Sequence, residues 1–201
     1  VAGIVFNTLR PNKDASIAVF GAGGIGLSAI LGAKVHECFR IIAVDIEDEK
    51  LAMAKEFGAT HVINCKTENP VKKIHEITKN QGVDFSVEAA GRAEVIESAF
   101  QSVKYNGGLC VIAGHPDCKE RIQLDPFDLI RGRKIEGSWG GECEPDRDIS
   151  MYVKYYKNGK LPLERMISQT YPLEEINQAL FELERGRAHR ILIRMDHPQG
   201  V

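Results

Sequence analysis

The chain has 201 residues, of which 43% are apolar, and a formal net charge of −2 at pH 7. This length suits one ordinary domain or a domain with a sizeable extension, with enough apolar residues for a substantial core. The near-neutral balance leaves no basic stripe for a nucleic-acid partner, and no run approaches the roughly 18 apolar residues of a membrane span. Cys38, Cys65, Cys110, Cys118 and Cys143 show no Cys-x-x-Cys spacing. That scatter suits reduced thiols in a cytoplasm better than a disulfide framework or a metal site. His36, His61, His75 and His197 read as surface residues, and Cys110 in an apolar run reads as a buried small hydrophobe. There is no initiator Met and no signal peptide, and Val1–Phe6 reads as the middle of a helix, which points to a fragment or processed product.

The apolar run Ile17–Phe20 leads into Gly21-x-Gly23-x-x-Gly26, and an apolar helical segment over 25–35 follows at once. Strand, tight turn and helix in that order are what a pyrophosphate needs. Gly21 permits the turn, Gly23 lets the backbone approach the phosphates, and Gly26 lets the helix pack on the strand. The helix start offers free N–H groups and partial positive charge. A second apolar run, Arg40–Asp45, ends in an acid 19 residues beyond Gly26, close to the separation of about 20 at which a carboxylate accepts the hydroxyls of an adenosine ribose. The pattern predicts dinucleotide binding, and the carboxylate favours NAD over NADP. An S-adenosylmethionine methyltransferase also ends its second strand with an acid. Its glycine turn is usually Gly-x-Gly-x-Gly with an acid before it, whereas Val19 and Phe20 precede this one.

Alternation continues downstream. Further strands are predicted at 61–64, 85–89, 109–114 and 135–138, and helices at 48–57, 71–79, 93–103 and 125–130. Gly58 and Gly82 read as helix ends, and Asp125-Pro126 as a helix start. Strands alternating with helices imply an α/β, doubly wound parallel sheet of Rossmann type with a C-terminal helix and strand extension. The ligand crevice then lies beyond the carboxyl ends of the strands, where Asp45, the 89–91 turn and the 113–115 turn converge. The last third reads as a helix over 149–157, a strand near 166–170, an amphipathic helix with Leu173, Ile176, Leu180 and Leu183 on one face, and a strand over 190–195.

Taken together, Gly21–Gly26, Ala43–Ile46 with Lys50, Ala54–Ala59, Gly82–Gly91, Val111–Gly114, Ser138–Gly141 and Arg190–Ile193 make the chain similar to the C-terminal half of zinc-dependent medium-chain alcohol dehydrogenases. It resembles the benzyl- and glutathione-dependent formaldehyde-type enzymes more than the quinone reductases. The resemblance implies that Gly21, Gly23, Gly24, Ile25 and Gly26 cradle the pyrophosphate, and that Asp45 and Lys50 hold the adenosine ribose. Ala89, Ala90 and Arg92 would line the path between the two halves of the coenzyme. Main-chain groups of Ala113, beside Gly114, and of Gly137 and Trp139 would receive the nicotinamide carboxamide. Arg190, with His189 as a register alternative, would meet the pyrophosphate. His115 is expected to be a solvent-facing loop residue.

The resemblance also implies that residues 1–138 form the dinucleotide-binding domain and that 139–201 pack on a catalytic zinc domain absent from this chain. The chain alone is therefore expected to bind NAD(H) without turnover and to contribute no catalytic residue and no metal ligand. Zinc, which lowers the pKa of the alcohol in these enzymes, belongs to the intact parent enzyme. The strands of the last third would lack their usual neighbours. A cytoplasmic homo-oligomer is expected, paired across a two-fold axis through the edge strand Lys134–Ser138. Two other readings stay open: a stand-alone NAD(H)-binding module without chemistry, and a zinc-independent quinone or enoyl reductase relative. Those reductases usually use NADPH and lack the acid at Asp45.

Overall fold

The computed structural model describes residues 2–186 and 188–195. They fall into two compact units, divided between Met151 and Tyr152 inside one helix. His197 lies outside the described residues.

In the first unit, strands β1 (Ser16–Phe20), β2 (Arg40–Asp45), β3 (His61–Asn64), β4 (Phe85–Glu88), β5 (Leu109–Ile112) and β6 (Lys134–Gly137) alternate with helices α1 (Gly24–Val35), α2 (Asp48–Phe57), α3 (Pro70–Ile77), α4 (Ala93–Ser102) and α5 (Pro126–Ile130). The six strands make one sheet in the order β3-β2-β1-β4-β5-β6, every pairing parallel. This is the doubly wound arrangement that the strand–helix alternation predicts. β1 is buried along its whole length, because a central parallel strand is covered on both faces and reads as a continuous apolar run. Ala18 and Phe20 join Ile42, Val44, Ile63, Ile74, Phe100 and Cys110 in one core cluster. Val19 points to the opposite face, toward α1 at Gly26. Each fully buried Ile, Leu or Phe of this kind contributes about 1.5–3 kcal/mol.

Short polar devices set the helix ends. The Asn69 side chain accepts from Lys72 N–H, with Pro70 at the first helical position. Asp125 accepts from Phe127 N–H ahead of Pro126. Gly58 closes α2 with a φ of +121°. Before β1, Ile4–Leu9 form a wide helical turn in which Arg10 N–H reaches Val5 O at 2.9 Å. His36 departs from the surface expectation: its ring packs against Phe6 with centroids 4.9 Å apart, and burial lowers its pKa.

α6 (Pro145–Lys157) begins in the first unit and ends in the second, four residues earlier in the chain than the sequence pattern places its start. The second unit adds β7 (Gln169–Pro172), α7 (Ile176–Glu184) and β8 (Ile191–Arg194). β7 and β8 pair with each other in parallel, so the strands of the last third do have a neighbour within this chain. No helix among the described residues is long and apolar enough to cross a membrane.

Candidate functional site

The register of the sheet aligns Phe20 of β1 with Val44 of β2 and Glu88 of β4, and Glu88 with Ile112 of β5. The residues one step further on, Gly21, Asp45, Ala89 and Ala113, therefore end at one level. Backbone bonds continue the ladder there: Gly21 N–H to Val44 O, Ala89 N–H to Phe20 O, and Ala113 N–H to Glu88 O, each 2.8 Å. Since β1 is followed in space by β2 on one side and β4 on the other, the connections leave to opposite faces and open a crevice above β1.

The glycine turn fills that crevice in the manner its spacing implies. Gly21 has φ +95°, and a Cβ on Gly26 would sit 1.7 Å from Gly21 O. At Gly23 a Cβ would meet nothing within 4 Å, so the backbone there faces open space. α1 starts at Gly24 without a side-chain cap. The first N–H groups of that helix, including those of Gly24 and Ile25, have no intrahelical acceptor and carry the positive end of its dipole. An open backbone cradle with unpaired N–H groups fits a pyrophosphate.

Asp45 is 9% exposed and organises the second side. Its Oδ2 accepts from Ala22 N–H at 2.6 Å, and its Oδ1 accepts from Ile46 N–H at 2.7 Å and Glu47 N–H at 3.0 Å. Three of the roughly four lone-pair positions of a carboxylate are thus in use. One remains for a ribose hydroxyl, where the sequence suggests room for both. A cavity of about 440 Å³ opens beside it, walled by Asp45, Ile46, Cys65 and Pro70 on one side and by Ala90, Arg92, Val95 and Ser98 on the other. That size and mainly apolar lining are ordinary for a nucleotide-sized ligand. Arg92 is the N-cap of α4, and its guanidinium pairs with Glu94 at 2.6 Å. Ala89 and Lys50, the latter in the first turn of α2, are partly buried. Burial first, and the Asp45 charge second, raise the pKa of the Cys65 thiol.

At the other end of the crevice, Ala113 and Gly114 both donate to Glu88 O, at 2.8 and 3.0 Å. Any carboxamide contact at these two residues therefore falls to their carbonyls. A Cβ on Gly137 would meet nothing within 4 Å. Trp139 is 84% exposed, and its ring meets the His115 ring edge-on at 4.7 Å. His115 is exposed, yet it is held by that contact. Arg190 lies in the second unit, exposed, with its carbonyl accepting from Ser168 N–H at 2.9 Å. Among the described residues no group of three or more His, Cys, Asp and Glu could hold a metal, so the donor set does not fit zinc.

The sequence reading passed over Glu88, Cys65, Pro70 and Val95. Glu88 had a signal: like Asp45, it is an acid ending an apolar strand. Its carboxyl accepts from Ala90 and Gly91 N–H at 2.7 Å each, and burial, outweighing those bonds, pushes its pKa above the usual carboxylate range.

A profile of the zinc-binding dehydrogenase family matches residues 24–155. The chain is 37% identical over 192 residues to alcohol dehydrogenase class-2 isozyme 2 of Oryctolagus cuniculus, covering 95% of this chain and 50% of that one. The structure superposes with a TM-score of 0.92 on benzyl alcohol dehydrogenase from Acinetobacter calcoaceticus, at 37% identity, covering 97% of this chain and 53% of the other. A zinc-binding dehydrogenase of Sinorhizobium meliloti 1021, solved bound to NADP, gives a TM-score of 0.78 at 26% identity, covering 89% of this chain and 51% of that one. The chain spans about half the length of the curated relatives it matches. With its glycine cradle, its Asp45 crevice and these relatives, the chain belongs to the zinc-dependent medium-chain alcohol dehydrogenase family, of which it forms the C-terminal half.

Proposed function

We propose that this chain is the NAD(H)-binding half of a zinc-dependent alcohol dehydrogenase and, in the whole enzyme, presents the coenzyme to a primary or aromatic alcohol. The observation that carries this reading is Asp45, a buried carboxylate at the wall of the cavity, tied to the glycine turn through Ala22 N–H at 2.6 Å. NAD, when bound, takes up the hydride. The residues of this chain bind and orient it. N–H groups at the start of α1 hold the pyrophosphate, and Asp45 accepts from the ribose and repels a 2′-phosphate. Ile46 and Val95, on the cavity wall, would flank the adenine. We assign Lys50 to the same ribose, Arg92 and Ala89 to the path between the halves, and the main chain of Ala113, Gly137 and Trp139 to the carboxamide. No proton or hydride step is assigned to a side chain of this chain.

A second reading, an NADPH-dependent relative, takes support from the Sinorhizobium meliloti protein solved with NADP. Isothermal titration separates the two. Saturable NADH binding, with NADPH at least about tenfold weaker, a difference of ~1.4 kcal/mol, is the expected outcome. Equal or tighter NADPH binding overturns the NAD(H) assignment. Asp45→Ala is expected to weaken NADH by about 1–3 kcal/mol, and unchanged affinity removes Asp45 from the site. With benzyl alcohol and zinc added, the chain alone should show NADH binding and no turnover. A stand-alone binding module gives the same titration. It differs in lacking activity with any catalytic half supplied by the gene.

The remaining assignments rest on the family. Residues 139–201 are assigned to packing on a catalytic domain, supported by Leu173, Ile176, Leu180 and Leu183, each at least 39% exposed. The free thiols of all five cysteines support a reducing, cytoplasmic setting. A dimer through the β6 edge is supported by the exposed apolar residues Phe127 and Ile130 of the neighbouring α5.

A further inference from the structure

Glu88 is fully buried at the end of β4 and makes none of the coenzyme contacts proposed for this chain. Its environment is built from two turns that are remote in sequence. Oε1 accepts the N–H groups of Ala90 and Gly91, at 2.7 Å each. The backbone oxygen of the same residue accepts those of Ala113 and Gly114. One residue thus satisfies four amides, two from the turn that walls the adenosine cavity and two from the turn at the nicotinamide end. The second carboxyl oxygen, Oε2, makes no hydrogen bond of good geometry, although the Arg92 and Gly114 amides also favour the charged carboxylate. It lies under Gly114, where a Cβ would come within 2.7 Å of it, while a Cβ on Gly91 would stand 2.8 Å from His115 O. The two turns are in van der Waals contact around this one side chain, and neither has room for a methyl group there.

An apolar residue would serve packing at such a strand end without the desolvation cost of a carboxyl that is only half satisfied. What the carboxyl supplies is reach: it passes beyond the last ladder bond and catches two amides of a turn that the sheet cannot hold. We propose that Glu88 is the positioning residue of the crevice, holding the Ala89–Arg92 turn against the Ala113–His115 turn so that both ends of the coenzyme meet a preset surface. The proposal rests on the crevice taking NAD(H).

Three variants test it, with NADH affinity and melting temperature measured for each. Glu88→Gln keeps the reach and an acceptor oxygen. Glu88→Asp keeps the carboxylate and loses the reach. Ser86→Ala removes a buried bond on the same strand, from Ser86 Oγ to Ala99 O, away from the crevice. Expected are an NADH Kd within about threefold of wild type for Glu88→Gln, a rise of about tenfold or more for Glu88→Asp, and a lowered melting temperature with unchanged Kd for Ser86→Ala. A folded Glu88→Asp with wild-type affinity overturns the proposal, as does a Ser86→Ala rise matching that of Glu88→Asp. Should Glu88→Asp not fold, amide exchange in the wild-type chain decides. NADH is then expected to slow Gly91 and Gly114 together, and protection of one turn alone overturns the coupling. A wild-type chain that binds no NADH overturns the crevice reading itself, and the positioning role with it, an outcome distinct from a variant that fails to change affinity.

Discussion

A methyl group added at Gly26 would lie 1.7 Å from Gly21 O, whereas one added at Gly23 meets nothing within 4 Å. The two glycines of one motif therefore answer to different masters. Gly26→Ala forces α1 off β1 and should cost about 1–3 kcal/mol or more of stability, seen as a lowered denaturation midpoint without any ligand. Gly23→Ala changes a helix N-cap and should cost under about 1 kcal/mol of stability, yet weaken NADH by about tenfold. Equal destabilisation by both would mean that Gly23 serves packing and not the phosphates. Cys65, at the cavity wall, should be alkylated in the free chain and protected by NADH, while buried Cys38 and Cys110, with pKa values pushed up to about 11 and about 12, stay unreactive throughout. Peptide mapping after alkylation checks both halves of that expectation. Residues such as Gly21, Gly23 and Asp45 are legible in the sequence because their partners follow at short, fixed spacings. Glu88 is harder to read because half of its partners, Ala113 and Gly114, come from the next strand–helix unit.

Among the elements, the pairing of β1 with β4 has its own polar lock at the opposite end of the strands. Ser16 N–H and Ser16 Oγ donate to Asp84 Oδ2 at 2.7 and 2.6 Å, and Lys104 Nζ pairs with the other oxygen. Burial raises the pKa of Asp84, but the Lys104 and Ser16 bonds outweigh it and the net shift is downward. Its contribution to stability is therefore full above the unfolded value of about 3.9 and is lost as pH falls through the lower folded value. Asp84→Asn should destabilise the fold by about 1–2 kcal/mol at neutral pH. Its denaturation curve should converge on that of wild type in strong acid, and a difference that persists there would locate the effect elsewhere. Element boundaries follow the sequence where a cap or an acid marks them, as at Arg40–Asp45 and Asp48–Phe57. They run long at β4 and β5, where Ala89 and Ala113 still make one ladder bond but already belong to the turns. The parallel pairing of β7 with β8 carries no local sequence mark, since twenty-odd residues separate the partners and each strand is half exposed.

At the scale of the molecule, β3 and β6 are the edges of the six-stranded sheet, and β6 is the more exposed strand of the two, with Ile130 75% and Phe127 56% accessible on the preceding α5. Light scattering at micromolar concentration should find a dimer, and Ile130→Glu should return it to a monomer. A monodisperse wild-type monomer sinks the β6 assignment. The strand order has one more consequence, on the ribosome. β1, β2 and β3 emerge in sequence and can pair as they appear, but the other neighbour of β1 arrives late: Ile17 pairs with Phe85, and Ser16 waits for Asp84 across a separation of 68 residues. At common elongation rates that interval lasts on the order of 3–14 s. For that time a strand that is buried along its whole length in the folded protein has one side unpaired, and no cellular pool of nucleotide can shelter it, because the wall of the crevice has not yet been translated.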